Sequence, residues 1–173
     1  MAFSLQTLLR NPFAKSAKLL CHKRLWNNGV DELGRRASGY RESGAFLLGT
    51  IDGGVRTIRK FIYYDDLDPN CFNNGIVEFD GSKFGLLWQL CRDFGMTVVA
   101  DVHVHPGGYG QSGSDRHNPM IPEPGHLALI LPDFAKRNRM SGEIGIYEYL
   151  GSRQWRNHSP LGMSVFRISW WPL

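Results

Sequence analysis

Apolar residues recur along this chain in two rhythms. Residues 44–51 (GAFLLGTI) and 55–64 (VRTIRKFIYY) are short runs of strand type, and Asp52-Gly53-Gly54 between them predicts a β-hairpin. Phe84, Leu87, Leu90, Cys91 and Phe94 then recur at helical spacing before Gly95, which predicts a helix over 80–94. Further strands are expected near 96–105, 126–131, 144–150 and 163–169. Residues 22–36 mix polar and apolar positions, and Gly29 and Asp31 put a helix start near 31. Phe3, Leu5, Leu8 and Leu9 suggest a short amphipathic helix packing on the domain or a partner, so that residues 1–18 form an N-terminal appendage. The run is broken by polar residues and has no basic stretch before it, unlike a secretion signal or a membrane span. There is no internal repeat or linker, and one domain over 1–173 is expected. Its class is α/β, with a mixed sheet flanked by helices.

The densest chemistry lies in DVHVHPGGYGQSGSD, residues 101–115. TVVADV, ending at Val102, reads as a buried strand, so His103 and His105 share one face while Val102 and Val104 share the other. Pro106 cannot donate to a ladder and ends the strand. Gly107, Gly108, Gly110 and Gly113 permit a tight return that brings Asp115 back over the imidazoles. Two imidazoles and a carboxylate suit zinc and leave a fourth tetrahedral position for water, the pattern of a catalytic site. A lone His-x-His on a strand is common; the added Pro106, glycine turn and Ser112-x-x-Asp115 make metal binding the better reading. Asp101 competes as a ligand, as a group orienting an imidazole or as a solvated edge residue. His117 competes with Asp115, although Pro119, Pro122 and Pro124 suggest a loop leading away. A hydrolytic zinc site needs a base, and Glu42, just before the strand GAFLLG, is the upstream candidate. Taken alone, a carboxylate there is equally a cap or a surface charge.

Glu42 in ESGAFLLG, His103-x-His105-Pro106 and Ser112-x-x-Asp115 together resemble the signature of the JAMM (MPN-type) zinc metalloproteases. The resemblance spans about residues 20 to 150. The chain departs from the family pattern in a gap of five residues, Gly107 to Gln111, where six are usual. It also has Asp101 and Val102 where aromatic residues are frequent, and the short gap leaves Ser112 and Ser114 both in play, the spacing favouring Ser112.

The resemblance implies a curved mixed sheet with helices on either side, the JAMM/MPN, cytidine-deaminase-like architecture. It implies zinc on His103, His105 and Asp115, Glu42 as general base and Ser112 as oxyanion donor. The implied substrate is the C-terminal tail of a ubiquitin-like protein, cut from a precursor or a conjugate by peptide or isopeptide hydrolysis. The compact chain is similar to bacterial stand-alone JAMM peptidases, some of which accompany activating and conjugating enzymes, including in antiviral systems. Residues 65–79 read as a loop into the next helix or, by the resemblance, as a segment that pairs with such a tail. Residues 117–125, with three prolines, read as a channel wall or a plain connection.

Competing chemistries lack their motifs. There is no His-Glu-x-x-His of a zincin and no deaminase His-x-Glu with Pro-Cys-x-x-Cys. A His-x-His amidohydrolase barrel needs roughly 250 residues; this chain has 173. A non-catalytic MPN scaffold, a sulfur-carrier-processing JAMM enzyme and a DNA-linked RadC-type protein remain alternatives. The intact polar set argues against the first. A hydrophobic fraction of 42% with 21% charged residues is that of a globular protein. A net charge of +4 and a pI near 9.1 suit an acidic protein partner or nucleic acid, although a solvated basic surface is the better reading. Lys136, Arg137, Arg139, Arg153 and Arg156 show no arginine–aromatic alternation, so nucleic acid is not expected, and neither is a membrane. Cys21, Cys71 and Cys91 form no Cys-x-x-Cys, which points to a reducing cytoplasm. Cys91 is expected in the core, and Trp170-Trp171-Pro172 as edge packing or, less readily, a partner contact.

Overall fold

A computed structural model of the protein describes residues 18–171. Phe3 to Leu9 and Pro172 lie outside the described residues. The strands are β1 (Leu19–His22), β2 (Gly44–Asp52), β3 (Val55–Tyr63), β4 (Thr97–Val104), β5 (Leu127–Leu131), β6 (Gly145–Gly151), β7 (Gln154–Asn157) and β8 (Phe166–Ser169). They form one mixed sheet in the order β7-β6-β5-β4-β2-β3-β1-β8. β4 is central, antiparallel to β2 and parallel to β5. The sheet curls. Lys18, just before β1, bonds Glu148 of β6 at 2.8 Å, although five inter-strand steps in a flat sheet would span roughly 24 Å.

Alternation along the strands gives the sheet two apolar faces. Ala45 and Leu47 of β2, Val102 and Val104 of β4, and Leu127, Leu129 and Leu131 of β5 pack with helix α1 (Lys23–Ala37). Trp26, Val30, Leu33 and Ala37 form the buried stripe of that helix. On the opposite face Phe46, Leu48 and Ile62 meet Leu87 and Cys91 of helix α3 (Phe84–Phe94), together with Tyr64 and Leu67 of the short helix α2 (Tyr64–Leu67). The result is a mixed α/β fold with helices on both faces.

The hairpin and α3 lie where periodicity predicts them, and Cys91 is buried. The helix start expected near 31 is corrected to Lys23. His22 caps it, its Nδ1 accepting from the Arg24 amide at 3.3 Å, and Gly29 is a mid-helix residue against which the Phe61 ring packs where a Cβ would stand. The strand expected from 163 begins at Phe166, because 159–164 form a 3-10 turn. Trp170 and Trp171 are 71% and 79% exposed beyond β8, so edge packing does not describe them. The Lys23 ammonium lies over the Trp170 ring, 3.2 Å from the centroid. Cys21, Cys71 and Cys91 are all buried free thiols, and burial pushes Cys21 and Cys71 up to about 12, which leaves them protonated and poor nucleophiles. Among the described residues no helix is long and apolar enough to cross a membrane.

The β2–β3 ladder shifts register between Leu48 and Gly49. A Cβ at Gly49 would overlap the Thr57 carbonyl oxygen. Gly49→Ala should therefore destabilise the fold by about 1–3 kcal/mol in denaturant unfolding. A change below about 0.5 kcal/mol would mean that the ladder shifts to absorb the methyl group.

Candidate metal centre

β4 delivers His103, and His105 follows directly after it. Both sides of this segment are fixed by the backbone. Val104 N–H donates to the Ser43 carbonyl at 2.9 Å, and His105 N–H to the Leu131 carbonyl at 2.9 Å. The His105 carbonyl in turn accepts from Phe134 N–H at 2.8 Å, and that of Gly107 from Asp133 N–H at 2.9 Å. Asp133, Phe134 and Ala135 form a left-handed turn with φ of 54°, 53° and 52°, a conformation that costs L-residues roughly 1–2 kcal/mol each. Gly34 of α1 accommodates it, since a Cβ there would meet the Ala135 carbonyl oxygen at 2.8 Å.

Asp115 arrives by a different device. Ser112 is the N-cap of a short helix α4 (Gly113–His117), with its Oγ accepting from Asp115 N–H at 3.1 Å. The Asp115 Oδ2 accepts from Ser112 N–H at 2.6 Å in return. This is a capping box, with the N3 carboxylate turned back toward the cap. It holds Asp115 Oδ1 3.4 Å from His103 Nε2 and Oδ2 3.3 Å from His105 Nε2. The two imidazole Nε2 atoms are 3.0 Å apart. Two ligand atoms bound tetrahedrally at zinc distances are about 3.3 Å apart. Each of these three separations is near that spacing, with one carboxylate oxygen facing each imidazole, and the donors are of the N/O type that zinc accepts.

The cluster is asymmetric electrostatically. Burial would raise the Asp115 carboxyl, yet the two imidazoles and the Ser112 amide hold it well below the usual carboxylate range. Burial disfavours a charged His103, but Asp115, Asp101 and Glu42 outweigh it and raise its pKa. Glu42 approaches from just before β2, its Oε1 4.0 Å from His105 Nε2. Its other oxygen accepts from Val77 N–H at 3.0 Å, and its own amide donates to the Gly75 carbonyl at 2.9 Å. The segment after α2, which forms turns and no strand, thus anchors this carboxylate. A cavity of about 60 Å³ lies beside Glu42, His103 and Asp115. Asn118, Pro119 and Met120 form part of its wall, while Ile121 is buried in the α3-side core, so the proline-rich segment both walls the cavity and packs.

Three competing residues fall outside the triangle of donors. His117 bonds the Gly113 carbonyl through Nδ1 at 2.7 Å and is exposed. Ser114 lies within α4, its Oγ 3.4 Å from Asn118 Nδ2. Asp101 is no solvated edge residue. It is 2% exposed, with Oδ1 2.6 Å from His126 Nε2 and Oδ2 accepting from the Tyr64 hydroxyl at 3.2 Å. The imidazole it orients belongs to His126, outside the cluster. Neither His126 nor the role of Tyr64 left a local signal, since both depend on which strands become neighbours.

No family model matches the chain. Its fold is similar to the solution structure of a protein from Desulfitobacterium hafniense, with a TM-score of 0.62 and 16% identity over 87% of this chain and 92% of that one. A solution structure from Salinibacter ruber aligns over 78% of this chain and 82% of that one, at 18% identity and a TM-score of 0.49. At 16% identity the first likeness establishes the mixed α/β class of the fold.

Asp101→Ala should lower stability by about 3–5 kcal/mol, because it leaves His126 and the Tyr64 hydroxyl buried without their acceptor. Denaturant unfolding of the metal-free protein reads this directly. A loss below about 1 kcal/mol would show that the pair is not a structural element.

Proposed function

We propose that this chain is a zinc-dependent peptidase or isopeptidase of the JAMM (MPN) type, acting on the C-terminal tail of a ubiquitin-like protein. Its setting would be a pathway with activating and conjugating enzymes. The observation that carries the reading is the convergence of His103 Nε2, His105 Nε2 and the two Asp115 carboxylate oxygens, with an imidazole separation of 3.0 Å, one oxygen 3.4 Å from His103 and the other 3.3 Å from His105, and Glu42 4.0 Å from His105. All three donors lie within 4.8 Å of one another, and two of the three are buried. A structural zinc would be expected to close its fourth position with a protein ligand. Here Glu42 stands back from the triangle and is tied to the Val77 amide instead.

Zinc held by these residues would supply a Lewis acid that polarises a carbonyl group and acidifies a water. Glu42 would take the proton from that water and hand it to the leaving amine. The bond from Val77 N–H to Oε2 fixes the carboxylate plane and leaves Oε1 toward His105. Ser112 Oγ accepts the Asp115 amide, which leaves its hydrogen to donate to a developing oxyanion. That hydroxyl is exposed, so Ser112 combines a helix cap with the proposed donor role.

Cleavage of a ubiquitin-like protein bearing a C-terminal extension tests the reading. Wild type should bind one zinc and cut at the tail. Glu42→Gln should bind zinc as well as wild type and lose about 10²–10⁴-fold in kcat. Zinc-loaded wild type that leaves every such tail intact would overturn the substrate class, and absence of zinc binding would overturn the enzyme. Ser112→Ala should cost about 1 kcal/mol of stability through the lost cap and about 10²–10³-fold in kcat. If stability alone falls, Ser112 is a cap and nothing more.

A further inference from the structure

The concavity on this side of the sheet continues past the triangle of donors. Gln111 and Trp155 line both the small cavity at Glu42, His103 and Asp115 and an open groove of about 400 Å³. Arg116 of α4, Arg153 before β7 and Tyr147 of β6 complete most of its wall. The Arg116 guanidinium bonds the neutral Gln111 carbonyl at 3.3 Å, and Arg116 and Arg153 are both exposed. No carboxylate among the described residues forms an ion pair with either one. Arg156 differs, since it lies 3.5 Å from Glu148.

The position of Arg153 adds to this. Ser152 and Arg153 turn the chain between β6 and β7 with φ of 52° and 60°. Hairpins favour glycine or asparagine there, and another L-residue costs roughly 1–2 kcal/mol. The side chain that the strained position carries is a cation facing the groove.

We propose that this groove receives an acidic segment of the polypeptide substrate, whose carboxylates meet Arg116 and Arg153 beside the bond presented to Glu42. The assignment rests on the peptidase reading for calling the ligand a substrate; its acidic character rests on the groove alone. Guanidinium pairs carboxylates in a planar, two-bond geometry, and two open guanidiniums on one wall select for such groups. A nucleic-acid strand fits less well. Two cations fall far short of the roughly 6–10 phosphate contacts of typical DNA binders. Trp155 is also no free stacking platform, because its Nε1 donates to the Arg116 carbonyl at 3.1 Å and its ring lies 4.9 Å from that of Tyr149.

The test uses the full chain carrying Glu42→Gln, loaded with zinc, and fluorescence anisotropy. The probes are a labelled glutamate-rich peptide, its glutamine counterpart and a single-stranded oligonucleotide of equal length. The glutamate peptide should bind on the order of tenfold more tightly than the glutamine one, and the gap should narrow as salt rises. Adding Arg116→Gln and Arg153→Gln should abolish the preference while leaving thermal unfolding and zinc content unchanged, since both side chains are exposed. Equal binding of the two peptides, a preference that survives the double substitution, or tighter binding of the oligonucleotide would overturn the proposal. A preference seen although wild type cuts no tail upholds the groove and sinks the ubiquitin-like tail as substrate. Cleavage without preference does the reverse.

Discussion

Everything at the metal centre depends on the alternation of side chains along β4. One face of that strand carries Val102 and Val104 into the core against α1, and the other carries Asp101 and His103 toward the cavity. Both edges of the strand are bonded, to β2 and to β5, so its register cannot slip by one residue without turning the valines out and the histidine in. The burial of Val102 and Val104 therefore orients the imidazole. Polar chemistry on one face is held by apolar packing on the other.

Three separate parts of the fold then supply the remaining geometry. His105 lies beyond the ladder and is held by Leu131 of β5 on one side and by the left-handed Asp133–Ala135 turn on the other. That turn packs on α1 at Gly34, so the helix that fills the core also supports the second imidazole. Asp115 is oriented by its own helix cap, and Glu42 by amides of the segment that follows α2. Strain in the turn and the missing Cβ of Gly34 are local costs, offset by burial of α1.

The buried Asp101–His126 pair has a different place in this arrangement. It lies on the cavity side of β4, yet both Asp101 carboxylate oxygens are engaged, one by His126 and the other by the Tyr64 hydroxyl. A carboxylate so bonded is withdrawn from metal coordination, which explains why the strand presents three polar residues in alternation and only the last two converge with Asp115. The groove beyond Trp155 shows the opposite pattern, since no carboxylate among the described residues pairs with its Arg116 or Arg153. A bonded carboxylate inside and open cations outside separate what supports the fold from what is free to meet a ligand.

The local sequence was enough for the hairpin, α3, the central strand and the shared face of His103 and His105, because each follows from a period of two or of 3.6 residues. It was also enough to single out Ser112-x-x-Asp115, although the surrounding glycines mask the helix start that this capping box marks. β1 and β7, four residues each, are too short to show a period, and they exist because longer neighbours offer them a ladder edge. The left-handed turn, the pairing of Asp101 with His126 and the approach of Glu42 to His105 were decided only by tertiary structure. Each joins residues far apart in the chain or imposes a conformation that its residue types disfavour. Local periodicity fixes which way a side chain points, but only the assembled sheet determines what it meets.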